Sequence, residues 1–195
     1  MAWKICDSTF NWGEKTYLMG ILNVTPDSFS DGGQFDSVET ALIQARDMIA
    51  HGVDIIDIGG ESTRPHAESI SVEQELQRVI PVIEQLRQIT QRPISIDTTK
   101  AEVARQAIAS GADLVNDISG GTFDPQMLPT VAQLNVPIIL MHIRGNPQTM
   151  QSLTDYQDVV SEVAEFLTAQ VNKAIASGID RSKIIIDPGI GFAKQ

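Results

Sequence analysis

Short apolar runs alternate along the chain with longer amphipathic stretches. Six of the runs have the length and the Ile, Val and Leu content of strands that are buried on both faces, as in a parallel sheet. They lie at 17–24, 54–59, 93–97, 112–117, 136–142 and 183–187. Between them apolar residues recur at helical spacing, and in the last stretch they form a stripe from Val160 through Leu167 to Ala174. The pattern therefore predicts strands and helices in alternation.

The amphipathic stretches predict helices at 37–51, 71–90, 100–110, 125–134 and 155–177. Capping-box spacing and a cap-proline pair predict helix starts at Ser71, Thr99, Asp124 and Thr154. Glycines able to take a left-handed conformation predict helix ends at Gly52, Gly111 and Gly178. Each of these glycines is followed by an apolar residue and an Asp, which indicates one βα unit used repeatedly.

Two architectures fit this alternation, an open doubly wound sheet and a (β/α)8 barrel. An open sheet concentrates its site at one switch point, whereas a barrel draws site residues from the ends of many strands. Here every predicted strand ends in polar residues, namely Asn23, Glu61, Ser62, Thr63, Asp97, Asn116, Asp117, His142 and Asp187. The predicted fold is therefore an α/β TIM barrel. Residues 1–16, with Trp3, Phe10 and Trp12, predict a hairpin that plugs its amino-terminal end.

Composition adds limits on size and on partners. The 195 residues are 42% hydrophobic and contain no linker, so 1–195 is predicted to be a single domain. Since 14 Lys and Arg stand against 25 Asp and Glu, the net charge of −11 disfavours nucleic acid and membrane as partners. A small anionic substrate stays open because a metal ion or a local arginine overrides the global field. The single cysteine, Cys6, and the absence of a signal-like apolar stretch predict a cytoplasmic protein.

Two loops carry candidate binding residues. The first, at 23–33, contains Phe29, which suits a lid that packs on a flat ligand; an ordinary connector with two turns is the alternative. The second, at 59–65, combines two glycines with Ser62, Thr63 and Arg64, which favours an anion site. A tight turn with a surface arginine is the alternative there.

The third candidate group is Asp97, Asn116 and Asp187. Two carboxylates and an amide at one barrel mouth match a heterocycle edge rich in N–H groups, as in pterins or guanine. A network of core polar groups is the alternative. Met141 and Phe192 fit either a ring slot or core packing. The histidines lack ligand spacing, so zinc is not predicted, and His142 is interpreted as a satisfied barrel residue.

Several segments resemble the signature motifs of the dihydropteroate synthase family. The most specific are LMGILNVTPDSFSDGG at 18–33 and IGGESTRP at 58–65. Further motifs follow in family order at 95–100, 115–118, 140–142, 145–147 and 187–192. The resemblance begins near residue 17 and continues to the last residues of the chain.

This resemblance implies a TIM barrel that joins p-aminobenzoate to 6-hydroxymethyl-7,8-dihydropterin diphosphate and releases diphosphate in folate biosynthesis. It implies the following roles: Asn23 binds Mg²⁺, Thr63 contacts the diphosphate, Asp97, Asn116 and Asp187 hold the pterin, and Phe29, Arg64 and Pro65 belong to the two closing loops. Asp97, Asp187 and Arg64 are the expected catalytic residues, and Met141 and Phe192 are expected to contact substrate. The neutral amine attacks, so no activated protein nucleophile is expected. Family members commonly form homodimers, which is expected of the full-length protein.

The length departs from the family pattern. A complete (β/α)8 barrel usually takes about 250 residues, and only six of eight strands are expected here. The later lysine and Arg-x-His motifs of the family are absent, so we expect the 195-residue chain alone to be inactive and prone to aggregate. A methyltetrahydrofolate-binding methyltransferase barrel is an alternative, although it needs neither of the two loops. A non-catalytic pterin-binding fragment is another.

Overall fold

A two-stranded hairpin precedes five βα units and a sixth parallel strand in the computed structural model, which describes residues 2–25, 34–64 and 69–194. The hairpin consists of β1 (Ala2–Ile5) and β2 (Ser8–Asn11). The larger sheet consists of β3 (Met19–Asn23), β4 (Ile55–Gly59), β5 (Ile94–Asp97), β6 (Leu114–Asp117), β7 (Ile138–Met141) and β8 (Ile184–Asp187). The helices are α1 (Gln34–Ala50), α2 (Val72–Ile89), α3 (Ala101–Ala109), α4 (Met127–Leu134) and α5 (Val159–Ala176).

The six strands of the larger sheet are parallel and lie in chain order, from β3 to β8. A doubly wound sheet reverses its strand order at a switch point, whereas a barrel adds each strand beside the previous one. The prediction of an α/β barrel is therefore confirmed, with six strands in the described residues. Within those residues, β3 and β8 form the two edges of the sheet.

The main core lies between the outer face of the sheet and the helices. Ile56 and Ile58 of β4 have no exposed surface, and they belong to one apolar cluster with Val79 and Ile83 of α2. Alternate residues of β4 therefore pack on α2, and the residues between them face the barrel interior. Among the described residues, no helix is both long enough and apolar enough to cross a membrane.

The hairpin closes the amino-terminal end of the sheet, as predicted. Trp3 and Phe10 are buried, and they cluster with Ile55, Leu114 and Ile139 from the inner face of the strands. The Phe10 ring lies 4.9 Å from the Tyr17 ring and 5.7 Å from the Trp3 ring, centroid to centroid. This apolar plug covers the amino-terminal end of the sheet, opposite the carboxyl ends of its strands.

The predicted capping box at the start of α2 is confirmed. Ser71 caps α2 in a reciprocal capping box with Gln74. The predicted terminating glycines also follow their helices with positive φ, at Gly52, Gly111 and Gly178. Local chemistry decides these boundaries because both partners lie within one turn of the helix.

Two of the other three predicted caps are wrong. Thr99 does not cap α3; instead the first N–H of that helix, at Ala101, donates to the distant carboxylate of Asp124 at 2.8 Å. The other oxygen of that carboxylate accepts the Gln126 N–H at 2.8 Å, so Asp124 does cap the turn that leads into α4, as predicted. Thr154 lies ahead of α5, which begins after Asp158, whose carboxylate accepts from two N–H groups of the first turn. A cap from a neighbouring loop has no sequence signature, which explains the first of these differences.

The hairpin plug generates a stability prediction. Phe10→Ala should lower the free energy of unfolding by about 3–5 kcal/mol, because it empties the centre of the plug. Trp12→Ala is the control, since Trp12 is 49% exposed and its loss should cost about 1 kcal/mol. Urea unfolding monitored by circular dichroism measures both. Equal losses for the two variants would contradict the assigned plug.

Candidate active site

One layer of side chains crosses the carboxyl ends of four neighbouring strands. Asn23 pairs in register with Gly59, Gly59 pairs with Asp97, and Asp97 pairs with Asn116. Residues aligned across a parallel sheet point to the same face, which here is the barrel interior. A Cβ atom at Gly59 would lie 3.5 Å from Asp97 Oδ2 and 3.6 Å from Asn23 Oδ1. The missing side chain therefore leaves open space between the asparagine and the aspartate.

A second polar layer lies two residues deeper. Asn116 Nδ2 donates to Asp57 Oδ2 at 2.9 Å, and Asp57 is buried in the middle of β4. Ser95 pairs with Asp57 in register and is also buried. Sequence reasoning missed Asp57, although a charged residue inside the apolar run Ile-Ile-Asp-Ile was a usable signal. The floor of the site is therefore acidic, directly above the apolar plug.

The pKa values of the two carboxyl groups in these layers are raised above their usual range. Burial is the largest cause that raises the pKa of Asp97 well above its usual value, and the charges of Asp57, Glu75 and Asp117 add to it. Burial also raises the pKa of Asp57, against the opposing effect of Ser95 and Asn116. A ligand edge with several N–H donors would complement these buried carboxyl oxygens, because hydrogen bonds to the ionised form offset its cost of burial.

A cavity of about 210 Å³ connects this acidic layer with the loop that follows β4. Its walls bring Thr63 and Ser62 to the same space as Asp97, and Ile118 and Phe123 add apolar surface. The remaining lining residues are Glu61, Ser69, Thr98, Thr99, Asn146, Pro147 and Gln148. The cavity therefore combines hydroxyl donors, a carboxylate and an apolar wall, as small-molecule sites do.

Asp187 and Met141 face the interior from the last two strands, where they pair in register. Asp187 Oδ1 accepts the Gly189 N–H at 2.7 Å, so one carboxylate oxygen holds the following turn. Met141 is buried, and it packs with Phe192 and Ile118 in an apolar cluster. Since Ile118 also lines the cavity, this cluster supports the cavity wall.

Of the three predicted loop residues, the structure describes only Arg64. Arg64 is exposed at the end of the described part of its loop. Phe29 and Pro65 lie outside the described residues, so the structure does not address their predicted contacts with substrate.

His142 has a protein partner. Lys194 Nζ lies 2.9 Å from His142 Nδ1, and the Phe166 ring packs edge-on against the imidazole. Burial and the Lys194 charge lower the pKa of His142 to about 4, so the ring is neutral at pH 7. This agrees with its interpretation as a satisfied barrel histidine. In the described ranges, no three His, Cys, Asp or Glu side chains cluster in a way that would hold a metal ion.

A sheet of this order, with polar layers at the carboxyl ends of its strands, defines a protein of the TIM-barrel class. Comparison with known proteins identifies a family within this class. The family model described as pterin binding enzyme matches residues 19–195. The dihydropteroate synthase of Synechocystis sp. is 62% identical over 185 residues, which are 95% of this chain and 64% of that protein.

Solved structures give the same result. A Yersinia pestis dihydropteroate synthase, solved as a sulfonamide drug complex, is 40% identical and superposes with a TM-score of 0.92 over 100% of this chain and 70% of that one. The Xanthomonas albilineans dihydropteroate synthase in complex with 7,8-dihydropteroate is 41% identical, with a TM-score of 0.86 over 100% of this chain and 68% of that one. The chain therefore belongs to the pterin-binding enzyme family and, within it, to the dihydropteroate synthases.

The raised pKa of Asp97 generates a stability prediction with a defined sign. A carboxyl whose pKa is raised on folding stabilises the fold at low pH, and this contribution is lost as pH rises through the folded-state pKa. Asp97→Asn should therefore raise the free energy of unfolding by about 1–2 kcal/mol at pH 8, and by less at pH 5. Urea unfolding at both pH values measures the effect, with the exposed Asp7→Asn as control. A lower free energy of unfolding for Asp97→Asn at pH 8 would contradict the raised pKa of Asp97.

Proposed function

We propose that this chain provides the pterin and diphosphate sites of a dihydropteroate synthase, which joins p-aminobenzoate to 6-hydroxymethyl-7,8-dihydropterin diphosphate. The observation that carries the proposal is the single cavity shared by the hydroxyl-bearing loop at Thr63 and the acidic layer at Asp97. The chain spans 64% of the length of its Synechocystis relative, which bears that name. The ligand of the Xanthomonas albilineans structure, 7,8-dihydropteroate, is the expected product.

The acidic layer suits the pterin ring. A pterin presents adjacent N–H donors and a carbonyl acceptor along one edge, and the Asp97 carboxylate and the Asn116 amide offer the matching acceptor and donor. Both residues lie in one register row, so they face the same ligand edge. Asp187 enters from the opposite part of the sheet, and it is proposed to bind the ring from there.

The loop after β4 suits the diphosphate. The Ser62 and Thr63 hydroxyls line the cavity, and Arg64 follows them directly. Hydroxyl and guanidinium donors form short, strong hydrogen bonds with phosphate oxygens. Such local donors can hold an anion on a chain whose net charge is −11.

Magnesium is compatible with the same end of the site. Mg²⁺ prefers oxygen ligands and usually keeps several waters while binding one or two protein groups plus substrate phosphates. Asn23 offers a side-chain oxygen at the end of β3, beside the open space over Gly59, and is the residue proposed to hold the ion. When bound, the ion would neutralise charge on the diphosphate oxygens.

The reaction then needs binding and electrostatic stabilisation more than a protein nucleophile. The bond between the pterin methylene carbon and the diphosphate oxygen breaks, and diphosphate leaves with the electron pair. The amine nitrogen of p-aminobenzoate forms the new bond to that carbon and releases a proton to solvent. Asp97 and Asp187 stabilise positive charge that spreads into the ring, while Thr63 and Arg64 stabilise the departing anion. Phe29 and Pro65 are proposed to close the p-aminobenzoate side.

Isothermal calorimetry on the full-length gene product tests this proposal. Dihydropterin diphosphate with Mg²⁺ should bind at least about tenfold more tightly than 6-hydroxymethyl-7,8-dihydropterin. Thr63→Val should weaken the binding of dihydropterin diphosphate by about 10- to 100-fold, because it deletes a hydrogen bond to a charged group. Thr9→Val, an exposed substitution in the hairpin, is the isosteric control.

Equal affinity for the two pterins would contradict the synthase function and favour a methyltransferase barrel or a pterin-binding protein. Product formation from p-aminobenzoate and dihydropterin diphosphate completes the test. The same assay applied to residues 1–195 tests the expectation that they are inactive alone.

A further inference from the structure

An ion cluster lies beside the cavity, and the proposed reaction does not use it. It consists of Glu61, Glu75 and Lys100, and we call it the Lys100 cluster. The Lys100 ammonium binds the carboxylates of Glu61 and of Glu75, the latter at 2.5 Å. The Glu75 side chain has no exposed surface, and those of Lys100 and Glu61 are only 18% and 22% exposed. Such burial of three charges requires an explanation.

The cluster joins three elements of the barrel. Glu61 follows β4, Glu75 lies in the first turn of α2, and Lys100 precedes α3. Burial raises the pKa of Glu75, although its hydrogen bond from Lys100 opposes this. Burial lowers the pKa of Lys100, but its hydrogen bonds to the two carboxylates outweigh burial and raise it overall. Lys100 therefore stays charged and bound between the two glutamates.

Glu61 also connects both ends of the loop that bears the proposed diphosphate donors. Its Oε2 binds Lys100, and its Oε1 accepts the Ile70 N–H at 3.3 Å. The preceding carbonyl, of Gly60, accepts from Arg78 Nη1 at 2.8 Å. A Cβ at Gly60 would lie only 2.8 Å from Val79 Cγ1, so the base of the loop is packed directly on α2. These contacts hold the described residues that flank the loop, Gly60 and Glu61 on one side and Ile70 on the other.

Stability alone does not account for this arrangement. A buried ion pair often contributes no more to stability than an apolar pair of similar volume, because its desolvation cost offsets the Coulomb gain. The cluster has two candidate effects on anion binding. It orients the loop, and the Lys100 charge neutralises Glu61 near the anion. Because Glu61 binds both Lys100 and the Ile70 N–H, the contacts favour the first effect, orientation of the loop.

We propose that Lys100 and Glu75 are positioning residues that fix Glu61 and thereby aim the Ser62 and Thr63 hydroxyls at the diphosphate of the substrate. This inference rests on the proposed function. Lys100 does not line the cavity, so it acts through Glu61 rather than by touching the ligand. Preorganised donors raise affinity because the ligand does not have to order the loop.

The test compares dihydropterin diphosphate with 6-hydroxymethyl-7,8-dihydropterin in calorimetry on the full-length gene product. In Lys100→Met, affinity for the diphosphate ligand should fall about tenfold, while affinity for the plain pterin changes less than about twofold. A merely structural residue would weaken both ligands to a similar degree, and that result would overturn the inference.

Glu61→Gln gives a second test that depends on the sign of the effect. Its side chain is partly exposed, so this variant is expected to fold. Removal of a negative charge near an anion would tighten diphosphate binding if electrostatics dominated, whereas loss of the loop anchor should weaken it about threefold or more. Tighter or unchanged binding would overturn the inference. The double variant should lose no more than Lys100→Met alone, because both changes break one contact.

Two controls make the outcome specific. Lys15→Met breaks an ion pair with Asp54 at the opposite end of the barrel, and Glu102→Gln breaks an exposed pair with Arg105 on α3. Neither should alter the diphosphate preference. Absence of any diphosphate preference in the unmodified protein would refute the proposed function itself, whereas a preference that survives in Lys100→Met would refute only the positioning role.

Discussion

The site depends on the register between the parallel strands. Because Asn23, Gly59, Asp97 and Asn116 occupy one row, strand pairing alone brings three polar side chains and one gap to the same face of the sheet. The hairpin closes the other end of the sheet with aromatic rings. Polar layers are therefore held above an apolar floor, and the open side is the one where the loops emerge.

This arrangement trades stability for binding. Asp57 and Asp97 are buried close to other acidic groups, and the raised pKa of each carboxyl measures the cost of ionising it there. A ligand rich in N–H groups would relieve that cost, so the groups that destabilise the fold would favour the complex. The loop after β4 carries the hydroxyl groups that we propose bind the diphosphate, and the Lys100 cluster contacts the base of this loop.

The sequence was sufficient for the repeating architecture because strand burial and helix periodicity are local signals. It placed Thr63 and Asp97 at the same barrel mouth, where they line one cavity. It failed where the partner comes from a distant part of the chain. The cap of α3 is supplied by Asp124, and the partners of Lys100 lie 25 and 39 residues earlier, so no spacing rule reveals them. The charge of Asp57 within an apolar run was visible in the sequence, but its partners Ser95 and Asn116 lie on later strands, so the buried polar layer that they form was missed.

A crystal structure of the full-length gene product with bound 6-hydroxymethyl-7,8-dihydropterin tests the central claim most directly. The account predicts a pterin edge within hydrogen-bond distance of the Asp97 carboxylate and the Asn116 amide, with the hydroxymethyl group directed towards Thr63. A pterin bound elsewhere, or one that makes no contact with the register row, would contradict it.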